Sequence, residues 1–507
     1  MSNARFAKRV RLVTLVCVVC ALVIIGRLYV LQVLHGDMYV ARADAQHNPL
    51  SAPILDRNMI YFTDKTGEVV AAATMQNIAS STERKRFYPG GSLAAQELGF
   101  VAYNNDDVQK GRYGLERYYD ETLTRPSEDL YSNFFVELFG AAKKVLGGEP
   151  QAGSIVTTIE PTVQSELERT LEGYAQAWHP NVAGGIVMDP ATGEIVAMAL
   201  NPTFDLNNFK SESDISIFNN QLVQDVYEIG SIMKPLTVAA GLDSGAISPS
   251  TTYNDTGCIE VDQKKICNYD GKARGVVPVQ EVLSQSLNVG ASFVATTMGP
   301  EVMRTYFLDR YKLGSETGID LPGEVHGLVN NLENSNRAVE YDTASFGQGI
   351  AVTPIAMVRA LATLANGGKL VTPHLVKAVR YDSGLSREIT WPTGEQVLKP
   401  ETTTQVSRML TKVVDEALAN GTIKIEHYSV AAKTGTAQIA NPGGGGYYTD
   451  RFLHSFFGYF PSFDPKYLIF FFAVEPKGAP FASQTWATPF HSLTQFLITY
   501  YDIPPDR

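Results

Sequence analysis

Apolar and polar positions change period several times along this chain of 507 residues. Residues 12–26 carry no charge, and after Arg27 apolar character resumes through Leu34. A run of that length crosses the hydrocarbon core of a bilayer as one helix, and an Arg near its outer end can snorkel to the interface. Residues 35–153 hold only short apolar runs broken by Asn, Asp, Gly and Pro, the pattern of a small, irregular, β-rich module of strands and loops. From residue 154 the character changes: 154–159 read as a strand, and 162–171 space their apolar residues as an amphipathic helix. Residues 184–198 read as strand, tight turn at Pro190-Ala-Thr-Gly193, and strand. Residues 430–439, 455–460 and 467–474 add β-rich, aromatic segments, whereas Ala, Leu and Val recur at helical spacing between 235 and 420. Strands at both ends with helices between them predict an α+β domain over residues 154–507. Its mainly antiparallel sheet is closed by both of its ends and flanked by helices.

Composition narrows this picture. The chain is too long for one core, and 44% hydrophobic with 19% charged residues is a globular balance. A net charge of −11 supplies no basic face for phosphates, which excludes a nucleic-acid partner. Residues 1–11 contain Arg5, Lys8, Arg9 and Arg11 and no acid, so they read as a cytoplasmic tail. Residues 12–34 are then a single-pass plasma-membrane anchor, and the remainder is extracytoplasmic. A cleaved secretory signal competes through Ala43-Asp44-Ala45, but the apolar run exceeds a signal's core and that triplet lies far downstream. Of four cysteines, Cys17 and Cys20 fall inside the apolar span. A two-residue turn at Asp262-Gln263 would set Cys258 and Cys267 opposite each other on a hairpin. A disulfide and a pair of free buried thiols are both open to them. No Cys/His group has metal-ligand spacing, no cofactor is expected, and an isolated histidine such as His454 reads as packed.

Three short patterns carry chemistry. In Tyr-Glu-Ile-Gly-Ser231-Ile-Met-Lys234, Gly230 marks a tight turn into an apolar helix, with Ser231 and Lys234 on one face. A helix start favours a developing alkoxide, and a lysine desolvated among Ile, Met and Leu is pushed towards the pKa of a general base. In Ser286-Leu287-Asn288, the serine can relay a proton and the amide can bind a substrate amide. In Lys433-Thr434-Gly435-Thr436, a strand would point both threonines to one face, and Gly435 would leave room for a substrate backbone alongside. A cation with two hydroxyls suits a terminal carboxylate. Singly, each has a bland reading: a helix cap with a surface lysine, a polar helix end, a lysine beside a turn. Together, in this order, they mark penicillin-binding proteins and class A β-lactamases.

Along its whole length the chain resembles the class B penicillin-binding proteins, monofunctional transpeptidases of cell-wall synthesis. Arg57-x-x-Ile60 with Asp64-x-x-Gly67, Leu93-Ala-Ala-x-x-Leu98-Gly-Phe100 and Gly114-Leu115-Glu116 are similar to signatures of the family's N-terminal pedestal, here residues 35–153. Asp189-Pro-Ala-Thr-Gly-Glu194, the stretch from Ala344 to Pro354 and Ala365-Asn-Gly-Gly368 are similar to stretches of its transpeptidase domain, the last two packing behind the site. Asn58, Ile229 and Leu287 depart from the family's usual Gly, Pro and Ser or Asp. The resemblance implies Ser231 as acylated nucleophile, Lys234 as its base, and Ser286 and Asn288 as proton shuttle and peptide orienter. Lys433, Thr434 and Thr436 would hold the terminal carboxylate, and the N–H groups of Ser231 and Thr436 would form the oxyanion hole. It implies peptidoglycan stem peptides as substrates and β-lactams as traps of the serine. It also implies a multi-spanning glycan polymerase and other division or elongation membrane proteins as partners, with Glu228 pointing to the division branch. A β-lactamase leaves the anchor and pedestal unexplained, and the short tail speaks against a sensor.

Overall fold

The computed structural model describes residues 18, 57–77, 84–103, 109–125, 152–381, 384–444 and 446–507. The tail and the anchor read at 1–11 and 12–34 lie outside these except for Val18, and among the described residues no helix is long and apolar enough to cross a membrane.

Strands β1 (Ile60–Thr63), β2 (Val69–Asn77) and β3 (Arg84–Phe87) form an antiparallel meander. Strand β4 (Ser154–Thr157) adds to it in parallel, pairing Ile155 with Ile60, and the strands Val376–Arg380 and Ser386–Glu388 complete six. This sheet therefore uses chain from both sides of residue 153. Beneath it, Arg57 binds Glu116 at 2.6 Å and Asp120 at 2.8 Å, and Arg86 binds Glu116 at 2.6 Å. The basic run 83–91 looks like a solvated face by composition alone. Arg86 instead points inward and is 9% exposed, because the fully buried Glu116 requires a cationic partner. Asn58 is buried too, and its carbonyl accepts the Arg86 Nη1 bond.

Helix α1 (Pro161–Trp178) opens on a Glu160 side chain that accepts the Val163 N–H, with Pro161 in its first turn. It runs beyond the residues 162–171 expected from periodicity, because Tyr174 continues the buried stripe and stacks on Trp486 at 3.6 Å. Strands β5 (Val182–Met188) and β6 (Ile195–Asn201) follow. Helix α2 (Lys234–Asp243) is buried along almost its whole length. After it, β7 (Thr252–Asp255), the hairpin β8 (Cys258–Val261) and β9 (Lys264–Cys267), and β10 (Gly275–Pro278) form small two-stranded ribbons. Helices α3 (Asn288–Met298), α4 (Pro354–Ala365) and α5 (Pro400–Lys412) pack around α2. Strands β11 (Ala431–Ala440), β12 (Tyr447–Phe460) and β13 (Tyr467–Val474) return to the sheet, and α6 (Ala482–Tyr500) covers it beside α1. The central sheet runs β11-β12-β13-β5-β6 with every pair antiparallel, so its two ends in sequence do close it.

Candidate active site

Gly230 takes φ +72°, and its N–H donates to Gly347 O at 3.1 Å. A Cβ on Gly347, itself at φ +81°, would stand 2.3 Å from Gly230 O, so this approach of the two backbones requires glycine at 347. The Ala344–Pro354 stretch thus lies behind the serine, as expected. Residues Gly230–Met233 form a 3₁₀ turn that runs straight into α2. With three residues per turn, Ser231 and Lys234 stack one above the other. Ser231 is half-buried, whereas Lys234 is wholly buried, as are Ile232, Met233 and Leu236 around it in the chain. The Lys234 Nζ donates to Ser286 O at 2.5 Å and lies 3.2 Å from Ser286 Oγ. Burial, aided by the charge of Lys433, holds Lys234 well below the ordinary lysine range.

Ser286 adopts φ +56°, a conformation that turns its carbonyl and hydroxyl together onto the lysine. Leu287 is fully buried, which suits an apolar residue at that position. Asn288 opens α3, and its Nδ2 donates to Cys267 O at 2.9 Å, leaving Oδ1 for a substrate N–H. The sulfurs of Cys258 and Cys267 are joined, opposite each other across the β8–β9 hairpin, with Asp262 and Gln263 both at positive φ in the turn.

Strand β11 is an edge of the central sheet and packs against the Ser231 turn. Lys433 is 2% exposed, donates to Thr434 O at 2.9 Å, and is pushed down to about 7 by burial. Thr434 and Thr436 share the partly exposed face, as strand alternation predicts. Thr436 Oγ1 accepts the Ala482 N–H at 3.0 Å, so its hydroxyl has a proton to give and an oxygen already engaged. Gly435 serves differently from the expected open margin: a Cβ there would meet Ser455 Oγ at 2.2 Å and Ile229 O at 2.8 Å. Its missing side chain admits the serine turn, not a substrate backbone.

Some contacts of this neighbourhood carry no sequence signal. Ser455 Oγ donates to Ile229 O at 2.8 Å and pins the turn from β12. Glu228 Oε1 accepts Gly349 N at 3.0 Å and the Tyr447 hydroxyl at 3.1 Å, tying the tip of the β11–β12 hairpin to the cleft floor. Burial raises the Glu228 carboxyl above its ordinary range. Both pairs join segments over two hundred residues apart, a separation no local pattern reveals. His454 is buried behind Thr436, bonded to Thr485 at 3.0 Å and pushed down to about 4, which is a packing role.

An antiparallel sheet whose edge strand carries Lys-Thr-Gly-Thr against a Ser-x-x-Lys turn defines the penicillin-recognising serine class. The comparisons agree. Residues 183–491 match the penicillin binding protein transpeptidase domain. The chain is 30% identical over 84% of its length to Stage V sporulation protein D of Bacillus subtilis, and spans 66% of that relative. It is 29% identical over 86% of its length to the peptidoglycan D,D-transpeptidase FtsI homolog of Mesostigma viride, spanning 76% of it. It superimposes on the crystal structure of penicillin-binding protein 3 of Mycobacterium tuberculosis complexed with aztreonam at a TM-score of 0.75. That match has 27% identity and covers 89% of this chain and 97% of that one. The chain belongs to the penicillin-binding protein transpeptidase family.

Proposed function

We propose that the protein is a serine D,D-transpeptidase that cross-links peptidoglycan during septal cell-wall synthesis. The observation that carries this is Lys234: fully buried, with no acid partner among the described residues, one 3₁₀ turn from Ser231 and bonded to Ser286. A neutral amine so placed takes the proton of Ser231 Oγ as the oxygen attacks the carbonyl of the penultimate D-Ala. The N–H groups of Ser231 and Thr436 receive the oxyanion, while Asn288 Oδ1 accepts the donor peptide's amide N–H. Collapse of the tetrahedral adduct breaks the C–N bond, and Ser286 passes the proton to the departing D-Ala amine. An amine of a neighbouring stem then attacks the acyl-serine, gives its proton back along the same path, and releases Ser231 as a hydroxyl. Lys433 gains its proton as the terminal carboxylate binds beside it with Thr434 and Thr436. The donor lies along the free margin of β11 as an added strand.

The division-type assignment follows the names of the relatives, and the aztreonam complex of the Mycobacterium protein supports β-lactams as acylating traps. The same reading anchors the chain through residues 12–34, treats 35–153 as a pedestal and 154–507 as the catalytic unit. It leaves glycan polymerisation to a multi-spanning membrane partner. Labelling with a fluorescent β-lactam tests it: wild type forms an adduct that persists for many minutes, and Ser231→Ala forms none. Rapid turnover of the label, or signal surviving in the variant, overturns it.

A further inference from the structure

We propose that Asn268, held by Asp255, is a positioning residue for the acyl transfer: it fixes the start of α3 and so the placement of Ser286 and Asn288 against Lys234. The inference rests on the transpeptidase reading above. Asn268 follows the last residue of β9 and is 3% exposed. Its Nδ2 lies 2.9 Å from both oxygens of Asp255, and its Oδ1 accepts the Val289 N–H at 3.1 Å. A carboxylate only accepts, so Asp255 dictates which way the amide faces and commits Oδ1 to the helix. Val289 N–H is among the first-turn donors that an α-helix leaves without an internal partner, and Leu287 at the N-cap supplies no side chain to satisfy it. Asn268 therefore caps α3 from another part of the chain.

A second bond runs beside the first, from Asn288 Nδ2 to Cys267 O at 2.9 Å. Two consecutive residues at the end of β9 thereby grip two consecutive residues at the start of α3. The gripping side is itself fixed. Asp255 is fully buried and accepts Gly257 N at 2.7 Å, and Asn268 N donates to Gly257 O at 2.9 Å. Gly257, at φ +80°, lies so close to the 271–273 backbone that a Cβ would stand 2.7 Å from Gly271 O. The Cys258–Cys267 bond closes the hairpin behind it. On the other side, only the buried Leu287 separates Asn288 from Ser286, whose carbonyl meets Lys234. A shift at Asn268 has no slack in which to dissipate before it reaches the proton path.

Acylation by a chromogenic β-lactam, resolved into noncovalent binding and the limiting first-order rate, tests this on the full chain. Asn268→Asp sets two carboxylates face to face, and Asp255→Asn, isosteric and uncharged, frees the amide to turn over. Each lowers the limiting rate by about fivefold or more, as small displacements of reacting groups do, with binding changed by less than about twofold. The double variant exchanges acid and amide, restores a donor to an acceptor, and leaves an oxygen for Val289 N–H. It recovers the rate to within about threefold of wild type. Single variants that acylate at the wild-type rate overturn the inference, as does a swap that restores thermal stability but not rate. Asp255→Asn keeps the test decisive should Asn268→Asp fail to fold. Wild type that is not acylated, or Ser231→Ala that is, refutes the transpeptidase reading instead.

Discussion

Lys234 and Lys433 carry the functional pH dependence, because both are buried and neither has a carboxylate partner among the described residues. Lys234 is held well below the ordinary lysine range, so it serves as a base at lower pH than a free lysine, and acidification towards its depressed pKa removes the base and the rate. Lys433, at about 7, loses its cation as pH rises, and with it the attraction for a free substrate carboxylate. The expected profile of kcat/KM is a bell whose alkaline limb begins near 7, whereas kcat keeps its plateau to higher pH because bound carboxylate retains the proton. A kcat/KM that stays flat through pH 9 contradicts this. At the same scale, Gly435→Ala forces a Cβ into Ser455 and Ile229 O and displaces the Ser231 turn. Acylation should fall about a hundredfold while the sheet survives, read by circular dichroism alongside labelling. Ser231, Lys234, Ser286 and Lys433 stand out in the sequence because their chemistry is local and ordered. The reason for Gly435 was not legible, since the atoms that need its space lie on β12 and before the serine.

Elements place these groups, and most elements follow from periodicity: the central strands and α2 appear where alternation and apolar runs put them. Strand β12 begins earlier than residue 455, because residues Tyr447–Phe452 pair with the end of β11 beyond the core, where no apolar alternation marks them. Tyr447 there ties the hairpin tip to Glu228. Tyr447→Phe removes that tie, and the expected result is faster hydrogen exchange across residues 440–447 with global stability lowered by about 1 kcal/mol or less. Unchanged exchange at the tip would show that the hairpin is held by its ladder alone. Beneath the N-terminal sheet, Glu116→Gln leaves the buried Arg86 without its counter-charge and Arg57 with Asp120 alone. The expected cost is about 3–5 kcal/mol in denaturant unfolding, far above a surface ion pair's. A cost below 1 kcal/mol would mean that water reaches the cluster.

Across the molecule, Asp320 ties together segments far apart in the chain. Its carboxylate accepts Leu375 N at 2.7 Å, Val376 N at 2.9 Å and the Tyr119 hydroxyl at 3.0 Å. Burial nevertheless raises its pKa to about 6. Asp320→Ala strands two buried N–H groups and the phenol, and should cost about 3 kcal/mol, whereas Tyr119→Phe should cost about 1 kcal/mol. Equal costs for the two would place the linkage in the phenol alone. Local sequence determined the α+β class, the order of the three motifs and the chemistry each can offer, because residue type and spacing within one turn or strand fix these. Tertiary structure alone decided what surrounds them: the joining of Cys258 to Cys267, the inward turn of Arg86, the pinning of Ile229 by Ser455 and the capping of Val289 by Asn268. Each of these depends on atoms brought together by chain closure, and a buried polar group finds its partner only once the fold has removed water from around both.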